Sequence, residues 1–403
     1  MEIRPILSAL RRHKLIATLL ALLVALTCAI VCNVAFMIQQ RTLLMNLPSG
    51  VAENRVVMIQ SFNMDQHANQ IDGHKADLTA LRMIPGVESA AAVDALPFNQ
   101  KNWTMGVGTN PQNNVALASV FNGTPGELKA LGLQLVAGRD FRPDEYLPED
   151  STHGYDGLNR VPAAIITKVL AARLFPGESA LGRSIYVAPS PVRVVGVVAH
   201  LLRPDVNLGN GNGFSMLLPM LPDASNVTYI LRTRSQDRAR VLKQAKNILY
   251  RLDANRVVRH AMTFTQLRAT YFQRDRTMIS LLLASALGLL LVAALGITGL
   301  ANFWVQQRTR SIGIRRAVGA TRADILRYFQ TENFLIVTGG IVLGAILAIG
   351  LNLLLMKYYE LVRLPLWYLP VGAVALWILG QLAVLTPALR ASQVPPVVAT
   401  RSV

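Results

Sequence analysis

Cysteine is almost missing from this chain of 403 residues. The two present, Cys28 and Cys32, lie four apart in the first apolar run, on one helix face turned to lipid or a neighbouring helix, where bridging geometry is not met. The long stretch 39–277 has none, so it folds without an intrachain disulfide. Charge is scarce too, at 16% of residues, and acidic groups are outnumbered 23 to 40, giving a net charge of +17. A soluble enzyme usually carries about 25% charged residues. The six histidines are scattered, with no H-E-x-x-H and no cysteine pair at zinc spacing; His200 reads as a strand-end residue. No G-x-S-x-G elbow offers a nucleophile. No G-x-x-x-x-G-K-[ST] loop can cradle a nucleotide phosphate. No basic run with interleaved aromatics suits nucleic acid, which is excluded as a partner. The acidic stretch "RDFRPDEYLPED" (139–150) reads as a solvated loop rather than an active site.

What the chain does have is apolar length: 52% of its residues are hydrophobic. A bilayer core of about 30 Å needs roughly 20 apolar residues in a helix. Four runs meet this: 15–38, 278–305, 334–356 and 366–389. The first is about twice the length of a signal-peptide core and lacks an A-x-A site, so it reads as an uncleaved span. The fourth is interrupted by Pro370 and Gln381, while Trp367 and Tyr368 form an aromatic belt at its start. Arg4, Arg11, Arg12 and Lys14 precede the first span; six arginines lie between the second and third, and Arg390 and Arg401 follow the fourth. Positive charge marks the cytoplasmic side. The expected order is therefore a cytoplasmic N-terminus 1–14, an outside domain 39–277, a cytoplasmic loop 306–333, a short outside loop 357–365 and a cytoplasmic C-terminus 390–403.

The fold class expected is an α-helical membrane protein with four spans and an α+β domain of two subdomains inserted between spans one and two. The outside domain opens with strand 55–62, a helix carrying Leu78, Leu81 and Ile84, and a second strand. It closes in the same order, with an amphipathic helix holding Val241, Ala245, Ile248 and Leu252 on one side. These units, 51–97 and 222–264, would pair into one mixed sheet with helices on one face. A β-rich insert would occupy 98–221. The stretch 265–277 has helical pattern and no breaker, and so reads as a stalk that continues into span two.

The loop "RTRSIGIRRAVGATRADILRYF" (308–329) is more ordered than a topological anchor needs. Its first limb is a short helix with Gly319 as a stop. Thr321 and Asp324 form a capping box that starts the next helix. Ile312, Ile314 and Val318 beside Arg315 and Arg316 suit either a docking contact or an anionic lipid surface. Two small-residue faces, Gly340–Gly344–Ala348 and Ala284–Gly288–Gly296, serve helix packing within one chain or between copies.

Arg308, Thr309, Ile312, Gly313, Ile314, Arg315, Ala317, Gly319, Ala320 and Ile325 stand in register with a pattern that resembles the MacB/FtsX-like permeases of ABC transporters. Ser311 departs from the glutamate many such proteins carry. "TPALRASQVPPVVATR" at the C-terminus, and "TPGELKALGLQLVAGRDF" with "ALGRSIYV" and "VRVVGVVAHL", are similar to other parts of the family. The resemblance implies a periplasmic domain on a bacterial inner-membrane permease. It implies an elbow made of Ile312, Gly313, Ile314, Arg315, Arg316, Ala317, Gly319 and Ala320 that docks on a dimer of ABC ATPase subunits. A second permease, identical or paralogous, is implied, with a periplasmic adaptor and an outer-membrane channel as further partners. The chain itself would be non-catalytic and hold no cofactor, ATP and Mg belonging to a separate ATPase. The implied function is transmission of ATP-driven motion for export. The alternatives are an FtsX-like regulator of a periplasmic enzyme or sensor, or a lipoprotein-extracting permease similar to the Lol system.

Overall fold

The computed structural model describes residues 14–64, 70–152, 157–222, 225–359 and 363–393. They form two compact units, one from Leu44 to Arg274 and one from the flanking segments.

In the first unit, two strand–helix–strand segments far apart in sequence build one sheet. β1 (Val56–Phe62), α2 (Gln70–Arg82) and β2 (Val87–Val93) pair with β12 (Asn226–Thr233), α5 (Arg238–Leu252) and β13 (Val257–Thr263), in the order β13-β1-β12-β2. Every neighbouring pair is antiparallel, so the mixed sheet expected from the sequence is corrected to a split βαβ arrangement. Alternation along the strands explains its two covered faces. Val57, Ile59, Tyr229 and Leu231 meet Leu78, Leu81, Val241, Ala245 and Leu249 of the two helices. Val56, Met58 and Ile230 meet Leu96, Phe98, Leu131 and Phe264 on the other side. Both unit helices thus lie on one face, as expected, and α3 (Glu127–Leu131) and α6 (Phe264–Tyr271) cover the other. On α5, Leu249 is the buried residue and Leu252 is exposed, because Val241, Ala245 and Leu249 keep a strict i, i+4 row while Leu252 lies in the last turn outside it.

The insert closes on itself. β3 (Thr104–Gly108), β4 (Ala116–Asn122), β5 (Leu135–Gly138), β7 (Ala163–Thr167), β8 (Ser184–Val187), β9 (Ser190–Val198) and β10 (Ser215–Leu218) run in the order β5-β9-β7-β10-β4-β3-β8, and β8 also pairs with β9. That last pairing completes a six-stranded ring. β9 is long enough to pair with β8 through Ser190–Arg193 and with β5 through Gly196–Val198. The ring encloses Val107, Val120, Ile166, Ile185, Val194 and Met216, with Leu170 and Leu174 of α4 (Lys168–Leu174) packed among them. Two further two-residue strands, β6 (Leu147–Pro148) and β11 (Met220–Leu221), pair beside it.

The stalk is not continuous. Thr263 and Gln266 cap the start of α6 reciprocally, and α6 ends at Tyr271 with Phe272 as its C-cap. Phe264 and Phe272 are both buried around Phe98, whose ring centroid lies 5.9 Å and 5.5 Å from theirs. Turning Phe272 into this core breaks the helix where the sequence shows no glycine or proline.

The second unit holds four helices long and apolar enough to cross a membrane: α1 (Lys14–Met45), α7 (Gln273–Gln307), α9 (Arg322–Tyr359) and α10 (Tyr368–Ser392). Each extends past its apolar run, since polar residues continue a helix until a breaker arrives; for α1 that is Pro48. Pro370 falls in the first turn of α10, where its missing N–H costs nothing. Gly340 and Gly344 of α9 pack on α1: a Cβ added at Gly344 would lie 2.6 Å from Cβ of Cys28 and 2.8 Å from the Ala25 carbonyl. That face therefore serves contact within the chain. Side-chain amides tie the helices as well. Asn33 donates to the Ala348 carbonyl and Asn333 to that of Gly380, each at 3.0 Å. α7 is the least covered of the four, and Leu281, Leu287, Leu291 and Leu295 stand exposed along it.

Candidate coupling site

A single non-helical residue, Arg308, separates α7 from α8 (Thr309–Ala317). Its N–H closes α7 on the Trp304 carbonyl, and its own carbonyl accepts from Ile312 to begin α8. At the other end Gly319 takes φ +106°, a conformation that strains any other residue, and the chain reverses there. The reciprocal Thr321–Asp324 cap then starts α9, with Asp324 N–H donating to Thr321 Oγ1 at 3.2 Å and Thr321 N–H to Asp324 Oδ2 at 3.0 Å.

α8 lies back along the first turns of α9. Arg308 Nη1 donates to both carboxylate oxygens of Glu332, at 3.0 and 2.9 Å, and Glu332 is 1% exposed. Ile312 is buried with Ile325 and Phe329. The Arg315 guanidinium sits 4.8 Å from the Tyr328 ring centroid. The contacts fall at 308, 312 and 315 on one side and at 325, 328, 329 and 332 on the other, both with helical spacing.

This divides the eight residues the sequence offered for docking. Ile312 and Gly313 are buried, Ile312 in the same apolar cluster as Ile325 and Phe329 of α9. Ile314, Arg315, Ala317 and Gly319 are exposed, and Arg316 and Ala320 are half-buried. Val318, outside the eight, is 84% exposed and Ile314 53%. The outer surface of the elbow is thus a small apolar patch beside guanidinium groups. The partner of Arg308 escaped the sequence reading. The signal for it was an acidic residue, Glu332, two positions before an apolar run, where an unpaired carboxylate would be costly.

A second buried carboxyl lies in the first unit. Glu127, on the short α3, is 2% exposed and has no cation beside it; its Oε1 has no hydrogen-bond partner among the described residues. Its carboxyl lies over Gly123, where an added Cβ would come 2.5 Å from Oε2. Burial, and then the nearby Asp140, push it up to about 8. Burial also raises Asp140. Glu145, by contrast, is drawn down by its hydrogen bonds to Arg139, one of them 2.8 Å long. The stretch expected as a solvated acidic loop therefore packs partly inward, because Phe141 is buried and anchors it. A cleft of about 520 Å³ opens nearby, lined by His74, Lys75 and Arg82 with Thr124, Pro125 and Tyr146. Among the described residues no three His, Cys, Asp or Glu side chains converge as metal ligands.

Four apolar helices, an arginine-rich elbow and a large α+β domain define a class of membrane protein. Comparison with known proteins agrees. A family model described as MacB-like periplasmic core domain matches residues 15–258, and one described as FtsX-like permease C-terminal matches 283–396. The chain belongs to the MacB/FtsX-like family of ABC transporter permeases. A macrolide export ATP-binding/permease protein, MacB, of Shewanella sp. is 27% identical over 280 residues, covering 68% of this chain and 40% of that protein. A pyoverdine export ATP-binding/permease protein, PvdT, of Pseudomonas syringae pv. syringae is 30% identical over 258 residues, covering 61% and 39%. The crystal structure of the periplasmic region of MacB from Actinobacillus actinomycetemcomitans aligns at 15% identity over 56% of this chain and 96% of that one, with a TM-score of 0.33. The chain spans about 40% of the length of the curated relatives it matches.

Proposed function

We propose that this chain is the membrane-spanning subunit of an ABC exporter, passing motion from a partner ATPase to the domain between its first two spans. The observation that carries the reading is the two-sided elbow. One face is packed into the chain's own core, and the other presents Ile314 and Val318 outward. A helix that only anchored a loop to lipid headgroups would need no pinned inner face. The arginine-rich elbow and both chain ends lie in the cytoplasm on this reading, and the α+β domain lies in the periplasm. Nucleotide and Mg bind the partner, since no stretch of this sequence has the phosphate loop. Two copies of the permease, or this chain and a paralogue, complete the assembly, with an adaptor and outer-membrane channel beyond. Relatives named for macrolide and for pyoverdine export support transport as the class of activity and leave the cargo to experiment.

The test is a photocrosslinker at Ile314 in native membranes, followed by mild-detergent purification. A P-loop ATPase captured from Ile314, and lost with Arg315→Glu plus Arg316→Glu, is the expected result. Capture of lipid alone would sink the reading. Co-purified lipoprotein would move the function to extraction, and a stable periplasmic hydrolase to regulation.

A further inference from the structure

An apolar contact such as Ile312 on Phe329 tolerates sliding by part of a turn. The Arg308–Glu332 contact does not, because one guanidinium nitrogen reaches both oxygens of a carboxylate that is otherwise sealed from water. Apolar residues of similar volume would serve stability about as well as such a buried pair, and fixing a register is the best-attested use of one. The pair also sits at the one non-helical residue between α7 and α8, where the chain is otherwise free to hinge. The Trp304 ring, 5.5 Å from the Arg308 guanidinium, backs it from α7.

We infer that Arg308 and Glu332 are positioning residues that lock the elbow in a single register on α9, so that elbow and helix move as one lever. Pressure on Ile314 and Val318 then displaces α9 instead of bending the loop. From α9 the displacement passes to α1 through the close contacts of Gly340 and Gly344, and to α10 through Asn333 on the Gly380 carbonyl and Gln381 on that of Gln330. The cation–π contact of Arg315 and the burial of Ile312 hold the far end of the lever without setting its register.

This rests on the docking reading above, so the two are tested separately. The first measurement needs no partner. Spin labels go on Ile314→Cys and Val342→Cys, both exposed in the native chain, after Cys28 and Cys32 are replaced by alanine. In nanodiscs the native pair should give one narrow distance distribution. Glu332→Gln should broaden it or add a second maximum, and the exchange Arg308→Glu with Glu332→Arg should narrow it again. An unchanged distribution in Glu332→Gln, or an exchange as broad as the single variants, overturns the inference. If Glu332→Gln does not reach the membrane, Arg308→Lys carries the test: it keeps the charge but loses the planar group, and an unchanged distribution there overturns it equally. The second measurement uses the assembled complex. An ATPase should still co-purify with Glu332→Gln while its response to the permease falls by about 2- to 30-fold, the range of single-residue coupling effects; an unchanged response overturns the lever. Absence of any ATPase from the native complex would fail the docking reading and leave the distance result standing.

Discussion

Glu332 and Glu127 are both carboxyls withdrawn from solvent, at 1% and 2% exposure, and they are resolved in opposite ways. In the helical unit Glu332 accepts two hydrogen bonds from the Arg308 guanidinium. In the sheet-containing unit Glu127 has no cation beside it among the described residues and lies near Asp140, so it holds its proton instead. A buried carboxyl has only these two ways to persist, and each leaves a different signature. The paired one is sensitive to loss of its partner. The unpaired one is sensitive to pH.

The largest effect should come from stranding a charge. Glu332→Leu leaves the Arg308 side chain, 16% exposed, without this counter-ion and should destabilise the helical unit by about 3 kcal/mol, read by denaturant titration in detergent. If Glu332→Leu and Arg308→Leu combined cost as much as the two single losses added together, pairing is not what distinguishes the two sites. Next is the proton on Glu127. Below pH about 4.5 the carboxyl is protonated folded and unfolded alike; between there and pH 8 only the unfolded chain releases its proton, so stability falls as pH rises. Glu127→Gln should remove that slope and, at pH 8, stabilise the unit by on the order of a few kcal/mol. Hydrogen exchange across 116–131 at pH 5 and pH 8 measures it, and an unchanged slope would refute the held proton.

Shape should matter less than charge. Gly344→Ala must push α1 aside and should cost about 1–3 kcal/mol, whereas Gly350→Ala, with open space around it, should be near neutral. Thermal unfolding of the two variants side by side checks this, and equal melting points would mean that α1 yields freely. The smallest effect is the cap: Thr321→Ala should cost about 1 kcal/mol and fray the first turn of α9, seen as faster amide exchange at 322–325.

Much of this was legible before any coordinates. Apolar length gave the four helices, and the Gly319 stop and Thr321–Asp324 cap gave the elbow, because these are local signals written in adjacent residues. What stayed hidden was long-range. Nothing near Phe272 announces a break; the cause is a core centred on Phe98, more than 170 positions earlier in the sequence. The inward face of Ile312 depends on Phe329 across the turn, and the role of Glu332 depends on Arg308, 24 residues before it. Strand direction in the four-stranded sheet was misread for the same reason. Two similar strand–helix–strand units suggest parallel pairing, but which strand lies beside which is decided by the 130-residue segment between them.

That segment has a consequence for how the chain folds. β1 finds both its neighbours, β12 and β13, about 170 to 200 residues downstream. Closing so long a loop as free coil is slow. The ring between them is built from contiguous sequence and can form first. Once formed, it delivers its own ends to the sheet. Asp94 donates its N–H to the Asn122 carbonyl at 3.0 Å, and Lys101 bridges the Asp94 carboxylate at 2.8 Å and the Asn226 carbonyl at 3.4 Å, so the points of departure and return are clasped together. A long loop is thereby exchanged for a short one, and the first strand made has to wait, unpaired, for almost the whole domain to leave the ribosome.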